Sequence, residues 1–249
     1  RSATDVERSR IELSSILRPG QQLTGVTCDI GNPDQVAALF GTVNWGAWHV
    51  VVNNAGVYGP IGPTDEISLT EWMQALQINL NGTFLMCQHA MRAMKPRRAG
   101  KIINISGGGA TNPMPRFASY AATKAAVARL TETLAEELRE YGIDVNAVAP
   151  GALRTRLTKQ VLAAGAARAG EAFFAKNKKW AEEGAVDPRL GSSLCVWLAS
   201  AESNGITGKL LSAQWDPWKD LAAKRDALAK SDIYTLRRIV PEDRGQKWS

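Results

Sequence analysis

Residues 101 to 124 read KIINISGGGATNPMPRFASYAATK, and this stretch decides the fold. Lys101 to Ile105 is a short apolar run with the composition of a buried strand. Ser106-Gly107-Gly108-Gly109 ends it in a loop. At Tyr120 begins the longest helical pattern in the chain, rich in Ala, Leu and Glu, which runs to Tyr141 and stops at Gly142 in the left-handed position that ends helices. Strand, loop and helix in that order are one βα unit of a parallel sheet.

The same alternation extends in both directions. Upstream, Gln22 to Thr27 is a short strand candidate ending at Cys28-Asp29, and Pro33 to Phe40 has helical spacing. His49 to Val52 is a compact β-branched run closed by Asn53-Asn54-Ala55-Gly56, and Thr70 opens a helical stretch to about Met94. Downstream, Ile143 to Val148 is a strand running into Pro150-Gly151, Pro188 to Ser200 a helix, and Lys209 to Ser212 a last strand. The expectation is one α/β domain with helices layered on both faces of a parallel sheet.

Composition excludes several function classes. The 249 residues are 45% hydrophobic and 22% charged, ordinary for a folded domain. No apolar run approaches the roughly 20 residues of a membrane span, and RSATDVERSR at the start is too charged for a secretory core, so a cytoplasmic protein is expected. Cys28, Cys87 and Cys195 lack metal or disulfide spacing, so no metal is expected. A net charge of +6 comes without basic-aromatic interleaving, so nucleic acid is not an expected partner. The charge is concentrated: Arg154, Arg156, Lys159, Arg168, Lys176, Lys178 and Lys179 stand against Glu171 alone.

The chemistry-bearing pair is Tyr120 and Lys124, four apart and therefore on one helix face. A phenol is a poor acid or base at neutral pH, and a nearby ammonium shifts it downward by favouring the phenolate. A Tyr-x-x-x-Lys pair alone is also a common solvated face. Here the pair follows a strand ending in Ser106, with loops after other strands at Asn53 to Gly56 and Pro150 to Thr155. In a parallel sheet these loops share the carboxyl edge, where ligands bind in open α/β folds.

With Asp29 after a strand, NNAG at 53 to 56, Asn79 within INLNGTF, Ser106 within IINIS, the YxxxK pair and the PG turn at 150 to 155, the chain resembles the short-chain dehydrogenase/reductase family over residues 1 to 213. The resemblance implies a Rossmann-like doubly wound sheet in three layers, and an enzyme moving a hydride between NAD or NADP and a carbonyl or alcohol carbon. It implies that Tyr120 is the general acid/base, that Lys124 lowers its pKa and binds the nicotinamide ribose, and that Asn79 holds a proton-relay water. Asp29 would accept from the adenine amino group, and Asn53, Ala55 and Gly56 would line the adenosine ribose. Pro150, Gly151, Leu153 and Thr155 would flank the carboxamide. Family members pair through the long helices, so a homodimer or homotetramer is expected.

Two features depart from the family. Its serine commonly stands thirteen residues before the tyrosine, which is Gly107 here, with Ser106 one place early. Either the glycine run shifts Ser106 to polarise the substrate, or the site lacks that hydroxyl. Second, nothing before Asp29 contains the opening strand and glycine-rich phosphate turn, so about 40 residues, the usual scale of a βαβ opening, are expected to precede Arg1. Arg1 falls where the two cofactors are distinguished, and a base there favours NADP.

Residues 156 to 187 correspond to the family's substrate lid. Their basic surplus, with Arg116, Arg154 and Arg156, points to an anionic small-molecule substrate or to a merely solvated face. Residues 214 to 249 form an extension whose aromatics either cap the pocket or pack on a partner. Two other functions fit the same fold: a binding or scaffold protein that lost turnover, and an epimerase or dehydratase that uses the hydride transiently.

Overall fold

Val50–Asn53 (β1), Gly100–Ile105 (β2), Ile143–Ala149 (β3) and Leu210–Ser212 (β4) pair in chain order as a parallel sheet. Val52 lies opposite Ile103, Ile103 opposite Asn146, and Ala147 opposite Leu210. The computed structural model describes residues 2–42 and 48–248. The helices are α1 (Ala3–Ser14), α2 (Pro33–Thr42), α3 (Leu69–Leu76), α4 (Gly82–Met94), α5 (Ala118–Leu138), α6 (Arg156–Ala169), α7 (Glu171–Glu183), α8 (Pro188–Ala199) and α9 (Arg225–Ala229).

Side chains alternate across a strand, and each face has its own cover. Val51, Ile102, Ile143 and Val145 pack against Cys87, Ala90 and Met94 of α4 and Leu134, Ala135 and Leu138 of α5. Ile103, Val148 and Leu211 face the other way onto Leu194, Trp197 and Leu198 of α8. The chain is thus a three-layer α/β/α domain with a parallel sheet, as read from the sequence. None of its described helices is long and apolar enough to cross a membrane.

Three expectations are corrected. Residues 21 to 29, which include the expected strand Gln22 to Thr27, form neither helix nor strand. Extended backbone becomes strand only through a hydrogen-bonded ladder, and no described strand lies beside this one. Val52, on the outer strand β1, is correspondingly 46% exposed. The helix read from Thr70 to Met94 is interrupted by a π-turn, Gln77–Asn81, between α3 and α4. The C-terminal aromatics divide: Trp218 joins Leu221 and Leu228 in the core beside α8 and donates its indole N–H to Ala213 O at 3.2 Å. It neither caps a pocket nor waits for a partner, whereas Trp215 and Trp248 are exposed.

Candidate active site

α5 begins at Ala118 and buries its inner face, so Tyr120 is 8% exposed and Lys124 5%. The Lys124 Nζ donates to Ile105 O at 2.7 Å, at the end of β2, and lies 5.6 Å from the centre of the Tyr120 ring. Burial brings the ammonium down to about 8. The expected lowering of the phenol does not appear: burial, then the neighbouring Tyr58, hold Tyr120 well above its ordinary value. Removing a phenolate from water outweighs an ammonium that is itself desolvated and turned to a carbonyl.

Asn79 sits in the π-turn, almost fully buried. The extra residue of such a turn re-aims side chains that a regular helix would place elsewhere. Asn79 Oδ1 accepts from Val57 N at 2.9 Å, while its Nδ2 donates to Val57 O at 2.8 Å and to Thr123 Oγ1 at 3.1 Å. One amide therefore fastens the loop after β1 to α5, one residue from Lys124. Thr123 is not legible in this role from sequence, because a threonine in a helix has no signature.

A second polar chain runs beneath. Asn53 Nδ2 donates to Asn104 Oδ1 at 2.8 Å and Asn104 Nδ2 to Thr131 Oγ1 at 2.9 Å, joining β1, β2 and α5. The Asn53 side chain is thus turned into the interior, its amide committed to Asn104 and Cys87, so that any ribose contact would fall to its backbone. Ala55 and Gly56 remain on the loop edge. Asp29 is exposed, and its Oδ1 accepts from Gly31 N at 3.0 Å, the bond of a turn former just before α2.

Ser106 is not brought to the tyrosine hydroxyl. It is 2% exposed and its Oγ donates toward Lys124 O at 3.4 Å. The position abutting the hydroxyl is Gly107, where an added Cβ would lie 2.5 Å from Tyr120 Oη.

The loop after β3 leads into α6 through Thr155, whose side chain caps the helix by accepting from Leu157 N. Leu153 O accepts from Thr158 Oγ1 and Ala152 O from Val186 N, so Pro150 to Thr155 and the far end of the lid are laced together. Part of the basic surplus is spent in that lacing. Arg116 Nη1 donates to Ala167 O at 2.9 Å, Arg168 Nε to Ile61 O at 2.8 Å, and Arg154 Nη1 to Ala181 O at 3.4 Å. Lys178 and Lys179 pair with Glu182 and Glu183, acids that follow directly after the basic run from Arg154 to Lys179. Of the three arginines read as substrate ligands, only Arg156 is exposed without a bond among the described residues.

Around Tyr120 the walls are apolar and aromatic: Phe117, Val161 and Ala169, with Tyr58, Phe173 and Phe174 against them. Tyr58 stands edge-on to Tyr120 with ring centres 4.7 Å apart. Nothing in the sequence singled out this residue.

The residues fit the nicotinamide-ribose half of a dinucleotide. Lys124 spends one of three N–H bonds on Ile105. At Gly56 a Cβ would lie 3.6 Å from Lys124 Nζ and 3.3 Å from Asn79 Oδ1, so bare backbone is presented beside the ammonium. Remaining donors next to a side-chain-free loop suit vicinal hydroxyls. Arg1, read as favouring NADP, lies outside the described residues.

Comparison with known proteins agrees with this geometry. A sequence model of the family described as short chain dehydrogenase matches residues 1–165. The 3beta-hydroxysteroid dehydrogenase 1 of Eggerthella lenta is 35% identical over 212 residues, 84% of this chain and 78% of that protein. Among solved structures, NAD+-bound xylitol dehydrogenase superposes with a TM-score of 0.75 at 25% identity, covering 85% of this chain and 84% of its own. A variant of actinorhodin polyketide ketoreductase with NADPH gives 0.74 at 27%, covering 85% and 83%.

Proposed function

The chain belongs to the short-chain dehydrogenase family and is an NAD(P)-dependent oxidoreductase; from that premise we propose that it interconverts an uncharged ring ketone and its alcohol, with Tyr120 as the acid/base. The observation that carries this reading is a buried tyrosine and lysine, side by side on α5, at the carboxyl edge of the sheet and walled by aromatics. Bound cofactor supplies or takes the hydride. Tyr120 gives its proton to the carbonyl oxygen in reduction and takes it back in oxidation. Lys124 holds the ribose hydroxyls with the hydrogens that Ile105 leaves free, flanked by Gly56. Asn79 keeps the β1 loop against α5.

The aromatic walls, and the arginines turned to lid carbonyls, favour a neutral substrate over the anionic one suggested by charge alone. The dehydrogenase from Eggerthella lenta, named for a hydroxysteroid, supports the same class. Residues 156 to 187 act as the lid, fastened by Arg116 and Arg168. Leu69, Met73 and Phe84, apolar and exposed on α3 and α4, suit a contact between two copies.

The test is the absorbance of NADH and NADPH with progesterone, cyclohexanone and the anionic ketone 5-ketogluconate. Turnover of a neutral ring ketone that fails in Tyr120→Phe is expected. Turnover confined to 5-ketogluconate, or none with any ketone, overturns the reading.

A further inference from the structure

We propose that the Tyr58 hydroxyl donates the second hydrogen bond to the substrate oxygen beside Tyr120; the assignment rests on the oxidoreductase reading above.

The serines nearest Tyr120 are engaged elsewhere. Ser106 Oγ donates toward Lys124 O inside the domain, and Ser119 Oγ donates to Tyr58 O at 3.1 Å. Position 107 admits no side chain while the Tyr120 hydroxyl stands 2.5 Å from its Cβ direction. A hydroxyl to assist Tyr120 must therefore come from another wall.

Tyr58 is on that wall. Its ring meets Tyr120 at 4.7 Å and 75°, and Phe117 at 5.0 Å and 62°. Among the described residues, neither the Tyr58 nor the Tyr120 hydroxyl has a hydrogen-bond partner, and neither oxygen is fully buried without one. Two phenols side by side, both unpaired, are a site for one oxygen.

The ring is also held still. Both polar groups of Val57 are bonded to Asn79, and the Tyr58 carbonyl to Ser119. Gly59 follows at φ +71, with Ala75 and Ser119 within 2.7 Å of where a Cβ would stand, so no other residue takes that bend. A donor fixed before the reaction needs no reorganisation when charge develops on the oxygen. Burial raises the Tyr58 phenol to about 12, which keeps it a donor across the neutral range.

The step balances without consuming Tyr58. As the carbonyl carbon gains the hydride, the π pair moves onto oxygen and takes the Tyr120 proton. Tyr58 keeps its own proton throughout and lends a hydrogen bond that strengthens as the oxygen becomes negative.

Tyr58→Phe removes the oxygen and leaves the ring against Tyr120 and Phe117. With progesterone and NADPH its kcat/KM is expected to fall about 100-fold, the lower end of the range for loss of one such donor. Progesterone should also bind the non-turning enzyme–NADP+ complex roughly 3- to 10-fold more weakly by titration calorimetry, as loss of one neutral hydrogen bond implies. Values within twofold of the parent in both measurements overturn the proposal. So does a loss seen in Ser106→Ala and absent in Tyr58→Phe, which would give the bond to Ser106. If the parent protein binds progesterone and reduces neither it nor cyclohexanone, the ring-ketone reading falls and the binding ratio alone decides Tyr58. If it does neither, both fall.

Discussion

The wall that carries Tyr120 and the segment before α2 satisfy their polar groups in opposite ways. In the wall, Asn79 reaches Val57 and Thr123 across 22 and 44 residues, and Asn53 reaches Asn104 across 51. In residues 2 to 32, side chains bond mostly within a turn: Ser2 caps α1 through Asp5, Arg10 pairs with Glu7, and Asp29 closes on Gly31, whose carbonyl Gln77 reaches from outside the segment. α1 buries no residue, and Ile11 and Ile16 are 60% and 71% exposed. The difference teaches that helical order and structural commitment are separate. Local caps and pairs shape α1, while only bonds between distant segments make a position indispensable to its neighbours.

Substitutions on both sides can break or sharpen this contrast. The largest effect is expected from Tyr120→Phe, which should lower kcat by about 10³-fold or more while the cofactor still binds, since a positioned acid is worth roughly 10²–10⁴. Retention of a tenth of the rate would remove Tyr120 from the chemistry.

Next comes Lys124. Its ammonium is ordinarily lost near 10.5 and here near 8. Below pH 8 the folded protein carries the cost of a buried charge. As pH rises from 8 to 10.5 the folded state releases the proton before the unfolded chain does, so stability increases. The gain is up to about 1.4 kcal/mol per pH unit, some 3 kcal/mol in all. Urea unfolding of the parent and of Lys124→Met should show the parent gaining on the variant through that window, and a constant gap would contradict the burial argument.

Asn79→Ala should cost about 2 kcal/mol in the same assay, because the Val57 N–H and C=O lose their partner. Its activity should fall as the Tyr58 loop loosens. The smallest effect belongs to the other region: Ile11→Ala, on the exposed face of α1, is expected within about 0.5 kcal/mol of the parent. A loss of 2 kcal/mol there would mean that α1 is packed against something in solution, and the contrast would collapse.

The kinetics carry a further sign. Because Tyr120 is held above its ordinary value, it is proton-loaded at neutral pH. Ketone reduction should hold constant from pH 6 to 8, whereas alcohol oxidation should climb with pH. The two pH-rate profiles check this.

How much was legible follows from what each signal depends on. β1, β2, β3 and α5 were readable because buried strands and an Ala-Leu helix ended by Gly142 announce themselves locally. Tyr120 and Lys124 were readable because four residues make a helical turn. Gln22 to Thr27 has a strand's composition, but strand formation is decided by a neighbour that composition does not contain. The lid arginines looked like ligands because charge is visible in sequence and the carbonyls of Ala167, Ile61 and Ala181 are not. Trp218 looked superfluous because it follows the last strand, yet a large apolar side chain seeks whatever face remains uncovered, here that of α8. Tyr58 and Thr123 follow no period at all.

The π-turn at Gln77–Asn81 has one more consequence. It holds one residue more than a regular helix needs, so losing a single residue there would leave a continuous α-helix and an intact fold. The extra residue is absorbed within the turn, so the same loss would keep α4 facing the sheet while re-aiming the side chains of the turn itself, and would carry the amide away from Val57. Such a deletion is a change that folding would forgive and chemistry would not. In the divergence of such chains, the length of this helix should therefore vary less than that of α1, although neither its composition nor its stability requires it.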